Sequence, residues 1–169
     1  MDKGLGRLVP AVTLEHAEAM CQARNECRMF MTKDTHEITP AEQELWWATL
    51  DRSAVRPFVF ALDKVLIEPK GTEVHLGPVY IGYGLIRRID RDLWISGGLV
   101  ERWRYQGFGR QLFEGLADIV NRADRQRCWL EVRATNGPAR RLYQSLGFYA
   151  TATNYEGGLG VTITMGRDP

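Results

Sequence analysis

The chain has 169 residues, 44% of them hydrophobic and 25% charged, with a formal net charge of +1. That content suffices for one compact domain with a real core and excludes a disordered chain. The nearly balanced charge excludes a bulk electrostatic drive toward nucleic acid or a membrane surface, so partners must be argued from local sites.

Taken in chain order, residues 7–12 read as a first strand. Residues 14 to about 24 read as a helix with Leu14, Ala17, Met20 and Cys21 on one face. A second helix is marked by Thr39 as cap, Pro40 in the first turn and Glu42 completing a Thr-x-x-Glu box, with Leu45, Trp46, Ala48 and Leu50 as its apolar content. Trp46-Trp47 fits either one core and one exposed aromatic or a stacking platform. Residues 58–62 read as a buried strand, and 79–86 and 93–100 as two more in an antiparallel meander. Between Asp63 and Pro78, the turn signal Lys70-Gly71-Thr72 predicts an extra hairpin or a loop.

Gly97-Gly98 sits inside the strand that ends at Leu99 and Val100. Glycine there means a bulge, a close approach by another backbone, or relief of crowding beside a bulky neighbour. The loop Arg104-Tyr105-Gln106-Gly107-Phe108-Gly109-Arg110 then leads into a helix whose stripe is Leu112, Phe113, Leu116, Ile119 and Val120. Without side chains at the glycines, backbone N–H groups at a helix start can approach an anion, so the loop suits a pyrophosphate; the alternative is a strand-to-helix turn using glycine for geometry alone. Arg110-Gln111 after Gly109 excludes a phosphate-binding Walker loop, and Leu112 stands where a dinucleotide fingerprint needs a third glycine. Residues 127–133 alternate, with Cys128, Leu130 and Val132 on one face and Trp129, Glu131 and Arg133 on the other. Asn136, then a short helix with Ala139, Leu142 and Tyr143, then Gly147-Phe148 follow. Val161 to Met165 reads as an edge strand and a place for a homodimer contact.

Two blocks, Arg104 to Gly109 and Leu130 to Phe148, resemble in order and separation the conserved blocks of the GNAT superfamily of N-acetyltransferases. The Leu-Glu-Val-Arg strand followed by Asn and Leu-Tyr is similar to the bacterial ribosomal-protein N-terminal acetyltransferases. The front half, with Arg24-Asn25, Ile38-Thr39-Pro40 and Trp46-Trp47, looks instead like acetyltransferases acting on amino sugars linked to nucleotides. The resemblance implies a GNAT-like α/β (α+β) fold in one domain over residues 1–169: a mixed, mostly antiparallel sheet of six or seven strands flanked by helices, its central strands splayed. It further implies acetyl-CoA held by Leu99, Val100, Arg104, Tyr105, Gln106, Gly107, Phe108, Gly109, Arg110, Asn136 and Tyr143, and an oxyanion-binding N–H near Val100. Arginines 102, 104, 110, 140 and 141 flank these phosphate sites, and about half of them are expected to bind ligand.

The reaction so implied is acetyl transfer to a primary amine: a small molecule, an amino sugar or a protein N-terminus. A protonated amine has no lone pair, so a base is needed; Glu131 is matched to it, or else pairs with Arg133 or another arginine. Tyr143 is matched to the acid that protonates the leaving thiolate, or else is an aromatic anchor. Asn136 is a cofactor contact, a helix cap, or both. Cys128 as an acyl-cysteine nucleophile competes with its place among core positions. The acceptor wall is expected from residues 24–50 and 154–160. Other readings keep the cradle as a non-catalytic CoA sensor or use a longer acyl donor. The three cysteines, without metal or CxxC spacing, and the lack of a signal-peptide core or membrane-length apolar stretch predict a reduced, cytoplasmic protein with no metal site.

Overall fold

A computed structural model describes residues 5–67, 73–155 and 157–169. A seven-stranded sheet has the order β1-β2-β3-β4-β5-β7-β6, from β1 (Arg7–Pro10), β2 (Val55–Ile67), β3 (Glu73–Ile89), β4 (Asp92–Leu99), β5 (Cys128–Arg133), β6 (Tyr149–Tyr155) and β7 (Val161–Arg167). Every neighbouring pair is antiparallel except β4 and β5. Helices α1 (Leu14–Cys27) and α2 (Pro40–Thr49) lie on one face, α3 (Phe108–Asp118) and α4 (Gly137–Ser145) on the other.

Strand alternation divides the core accordingly. Phe58, Phe60, Leu93, Ile95, Leu130 and Val132 pack with Phe108, Leu112, Leu116 and Tyr143. Val59, Tyr83 and Leu85 pack instead with Met20 and Ala23 of α1. Gly84 lets Leu116 settle on the sheet: a Cβ there would lie 2.9 Å from both Leu116 δ-carbons.

The helix starts follow their caps. Thr39 and Glu42 form the reciprocal box at α2, as expected. Asn136 caps α4 by accepting from the Ala139 N–H. The buried face of α1 is His16, Ala17, Met20, Ala23 and Cys27, not the stripe through Leu14 and Cys21. Leu14 is exposed because His16 takes the inward position, accepting from Val12 N at 3.1 Å and meeting the Tyr80 hydroxyl at 3.1 Å. Leu45 of α2 is likewise exposed, while Gln43 is buried against α1 through the Ala17 carbonyl. Trp46 and Trp47 are both half-buried against the core, so neither is the fully exposed member of a pair.

β2 and β3 pair from Val55 with Arg87 to Ile67 with Glu73, so the segments on either side of the turn signal are strand; the signal itself, Lys70-Gly71-Thr72, lies outside the described residues. β7 is flanked by β5 and β6, so the Val161 to Met165 segment is internal and β6 is the edge.

Candidate active site

β4 and β5 pair at only two positions, Leu93 with Cys128 and Trp94 with Trp129, where the two indoles stack. Beyond them the strands diverge, each keeping its ladder on the far side: β4 with β3, β5 with β7. A cavity of about 510 Å³ fills the gap, lined by Ser96, Gly97, Gly98 and Leu99 from one strand and Leu130, Glu131 and Val132 from the other.

The splay does not arise from a bulge in β4. Pairing across Gly97 and Gly98 to β3 is regular, and the register shifts lie between β2 and β3, at Phe60/Ala61 and Asp63/Val65. The glycines instead permit close approach. A Cβ on Gly97 would stand 2.5 Å from the Tyr83 carbonyl oxygen, and one on Gly98 would overlap the Cys27 thiol.

The strand end narrows which N–H can serve an oxyanion near Val100. The Val100 N–H itself donates to Ile81 O at 2.9 Å, so it is not available to an oxyanion. The alternation of an antiparallel ladder then turns the N–H groups of Leu99 and Gly97 away from β3 and into the gap. The Leu99 carbonyl, also turned from β3, accepts from Cys27 Sγ at 3.2 Å and Arg104 Nε at 3.0 Å.

At one end of the cavity, the loop enters α3 through two left-handed residues, Tyr105 (φ 59°) and Gly107 (φ 92°). The N–H groups of residues 105 to 109 find no protein acceptor among the described residues; the first inward bonds of the turn come from Arg110 N and Gln111 N to Gly107 O. Five amides are thus left at a helix amino end, where the dipole favours negative charge. Gly107, Gly109, Tyr105 and Arg110 line the cavity, with Asn136 opposite. A diphosphate fits this cradle.

The arginines divide among several partners. Arg104 also donates to Glu26 O at 2.7 Å, so its guanidinium ties α1 to the end of β4 while it lines the cavity beside the amides. Arg140 donates to Ala134 O, and Arg102 lies over the Trp103 ring. Arg110, reaching Ser145 Oγ at 3.0 Å, lines the cavity beside the glycines, as Arg104 does.

Glu131 projects from β5 toward the α1 face. It is half-buried, accepts from Thr162 Oγ1 at 2.7 Å, and has no ion pair among the described residues. Arg133, its alternative partner, donates instead to Met31 O at 2.6 Å. Tyr143 is buried edge-to-face between Phe113 and Phe148, yet it borders the gap and its hydroxyl has no protein partner among the described residues. Burial pushes the phenol above its ordinary value, so it holds its proton at neutral pH. Cys128 is fully buried in the core and lines neither cavity, which places it with the core positions, and burial pushes its thiol up to about 12.

A second cavity, of about 710 Å³, lies under α1, α2 and the segment 31–38. Glu131, Ser96, Ile95, Met31 and Thr32 line both cavities, so the carboxylate stands where they meet. Its outer wall is fastened by the Asn25 amide, which donates to Ile38 O at 2.8 Å and accepts from Ile38 N at 2.9 Å. Asn154 and Thr164 close the other side. Thr162, Ser96 and Arg87, another lining residue, were not legible from sequence: nothing local reveals which strand β7 joins. For Arg87, its parity with Tyr83 and Leu85 is the signal that it shares their face.

A family model described as the Acetyltransferase (GNAT) family matches residues 17–148. Over 46 residues the chain is 48% identical to the [Ribosomal protein bS18]-alanine N-acetyltransferase of Escherichia coli (strain K12); that match covers 27% of this chain and 31% of the relative. The chain therefore spans about a third of that relative's length. Among solved structures, spermidine N-acetyltransferase from Vibrio cholerae in complex with CoA and spermine superposes with a TM-score of 0.72 at 18% identity, over 95% of this chain and 94% of that one. AAC(6')-Ib in complex with ribostamycin and coenzyme A does so with a TM-score of 0.72 at 16% identity, over 97% and 93%. At such identity these likenesses establish the fold.

Proposed function

The chain belongs to the acetyltransferase (GNAT) family, and from that membership we propose that it transfers the acetyl group of acetyl-CoA to the nitrogen of a primary amine. The observation that carries this reading is the place of Glu131 in the walls of both cavities. One cavity ends at the row of free amides; the other opens toward solvent between the helices and the sheet.

The residues divide the work. The amides of 105 to 109 and Arg110 hold the diphosphate, and the cleft-facing N–H of Gly97 pairs with the amide-bearing arm. Acetyl-CoA supplies an activated thioester carbonyl. Glu131 takes the proton of the incoming ammonium, directly or through one water, while Thr162 holds one carboxylate oxygen and leaves the other free. The Leu99 N–H faces the gap where carbonyl oxygen charge grows. Tyr143, protonated and without another partner, donates to the departing sulfur.

The AAC(6')-Ib and spermidine N-acetyltransferase complexes pair CoA with amine-bearing ligands, and the bS18 relative is named for an alanine nitrogen. These support an amine acceptor without choosing among them. The test is release of free CoA thiol with a panel of peptides bearing free amino termini, amino sugars, polyamines and amino acids. Glu131→Gln and Tyr143→Phe should each lower turnover by about 10²- to 10⁴-fold, with a much smaller effect on the Kd for acetyl-CoA. Wild-type protein that binds CoA but releases no thiol with any amine would overturn the reading in favour of a sensor.

A further inference from the structure

The second cavity contains both signs of charge, but its acids are already engaged. Asp34 accepts from His36 Nδ1 at 2.7 Å and lies 3.9 Å from Arg24. Glu42 accepts from the Thr39 N–H and hydroxyl at 2.7 and 2.8 Å, with His36 at 3.5 Å. Hydrogen bonds hold both carboxylates below their ordinary values. Arg24 is likewise occupied by the Asp34 and His36 carbonyls.

Arg87 is different. It stands on β3 directly opposite Trp94 of β4 and lines the cavity with Leu85, Ile89 and Trp46. Its side chain is exposed, and it makes no hydrogen bond or ion pair among the described residues. Surrounding protein nonetheless depresses its guanidinium from the ordinary value. A charge both accessible and partly desolvated stands in a recess, not on a convex surface. Lys33, also lining the cavity and also without a partner among the described residues, adds to the same sign.

Arg87 and Glu131 share the sheet face and are separated by two strand spacings and two residues, about 12 Å between Cα atoms for regular sheet geometry, a lower bound because β4 and β5 diverge beyond Trp129. An arginine reaching toward Glu131 leaves room for a spacer of about four to six atoms between an anion on the guanidinium and a nitrogen at the carboxylate. Guanidinium recognises planar carboxylate and phosphate by paired hydrogen bonds, and a second cation on the acceptor would meet repulsion there.

We infer that Arg87 anchors a carboxylate or phosphate on the amine acceptor, placing its nitrogen at Glu131. This rests on the acetyl-transfer reading for its role in turnover, but the anion site can be measured separately.

The kinetic arm compares delta-aminovalerate, aminopentyl phosphate, aminopentanol and cadaverine by thiol release. Wild-type kcat/KM should favour the two anionic amines over aminopentanol by at least about tenfold, with cadaverine poorest. The better of the two anions tells carboxylate from phosphate. In Arg87→Ala the ratio of anionic to neutral acceptor should fall to near one, chiefly through KM, and Arg87→Glu should move the preference to cadaverine. The binding arm follows tryptophan fluorescence, since Trp94 faces Arg87, during titration with valerate or inorganic phosphate; a response in wild type and none in Arg87→Ala is expected. Equal kcat/KM for anionic and neutral amines, a preference that survives Arg87→Ala, or anion binding independent of Arg87 would overturn the inference. Arg87-dependent anion binding without thiol release from any amine would retain the anchor and refute acetyl transfer.

Discussion

Gly107→Ala isolates the diphosphate cradle. Gly107 has φ 92° and ψ −15°, and a Cβ built on it meets nothing within 4 Å. The substitution therefore adds no clash, only the cost of holding an L-residue in the left-handed region, about 1–2 kcal/mol. The unliganded loop can relax that strain by turning its amides, and it must recover the strain when five N–H groups converge on an anion. Affinity for a diphosphate-bearing donor should fall by roughly 5- to 30-fold. The assay compares kcat/KM for acetyl-CoA with that for S-acetylpantetheine, which shares the thioester and arm but lacks the diphosphate. The ratio of the two should drop by that factor in Gly107→Ala and recover in part in Gly107→Asn, because asparagine tolerates this conformation better. Equal losses with both donors, or no loss with acetyl-CoA, would refute the reasoning, since either would mean the amides of this loop do not hold the diphosphate.

Thr162→Val removes the hydroxyl that fixes Glu131 while preserving shape at a fully buried site; a hydrogen bond to a carboxylate is worth about 1.5–3 kcal/mol, so kcat should fall roughly tenfold or more with little change in acetyl-CoA affinity. Thr162→Ser should restore most of it, which a purely packing role would not predict. Cys128, with its thiol raised by burial to about 12, titrates higher in the folded chain than in the unfolded one. Its contribution to stability is complete below the ordinary thiol range near pH 9 and is lost as pH rises from there toward about 12. Denaturant midpoints of wild type should therefore fall more steeply over that window than those of Cys128→Val, and an alkylating reagent at neutral pH should label Cys128 only after unfolding.

The fold was legible where residue pattern and local chemistry coincide. Thr39, Pro40 and Glu42 mark α2 because capping is decided within one turn, and the alternation through β5 sets Glu131 on the face opposite Leu130 without reference to anything distant. What escaped depends on long-range partners. The pair Gly97-Gly98 was readable as an approach or a bulge, and only the Tyr83 carbonyl and Cys27 thiol distinguish them. Arg104 carries the right chemistry for a phosphate, and its bonds to the carbonyls of Leu99 and Glu26 come from parts of the chain that the motif does not reveal. The stripe of α1 cannot be read locally, because His16 looks polar in sequence and is satisfied inward by Val12 and Tyr80. Thr162 and Arg87 gain meaning only from the strand order, which places β7 against β5 and β3 beside β4.

That order also explains why the site is a gap in a sheet and not a pocket carved from its surface. A two-residue parallel contact is too short to hold β4 and β5 together, but neither strand is left without a ladder, because β3 and β7 each pair along the outer side. Opening the gap therefore orphans only groups that face inward, among them the N–H groups of Gly97 and Leu99. Such groups carry a penalty unless something accepts from them, and water or an amide-bearing ligand can do so where a side chain cannot reach. The same divergence brings Glu131 out from under β4 while β7 still supplies Thr162. Binding surface and proposed base thus have a single structural cause, and lengthening the β4–β5 ladder would remove both together.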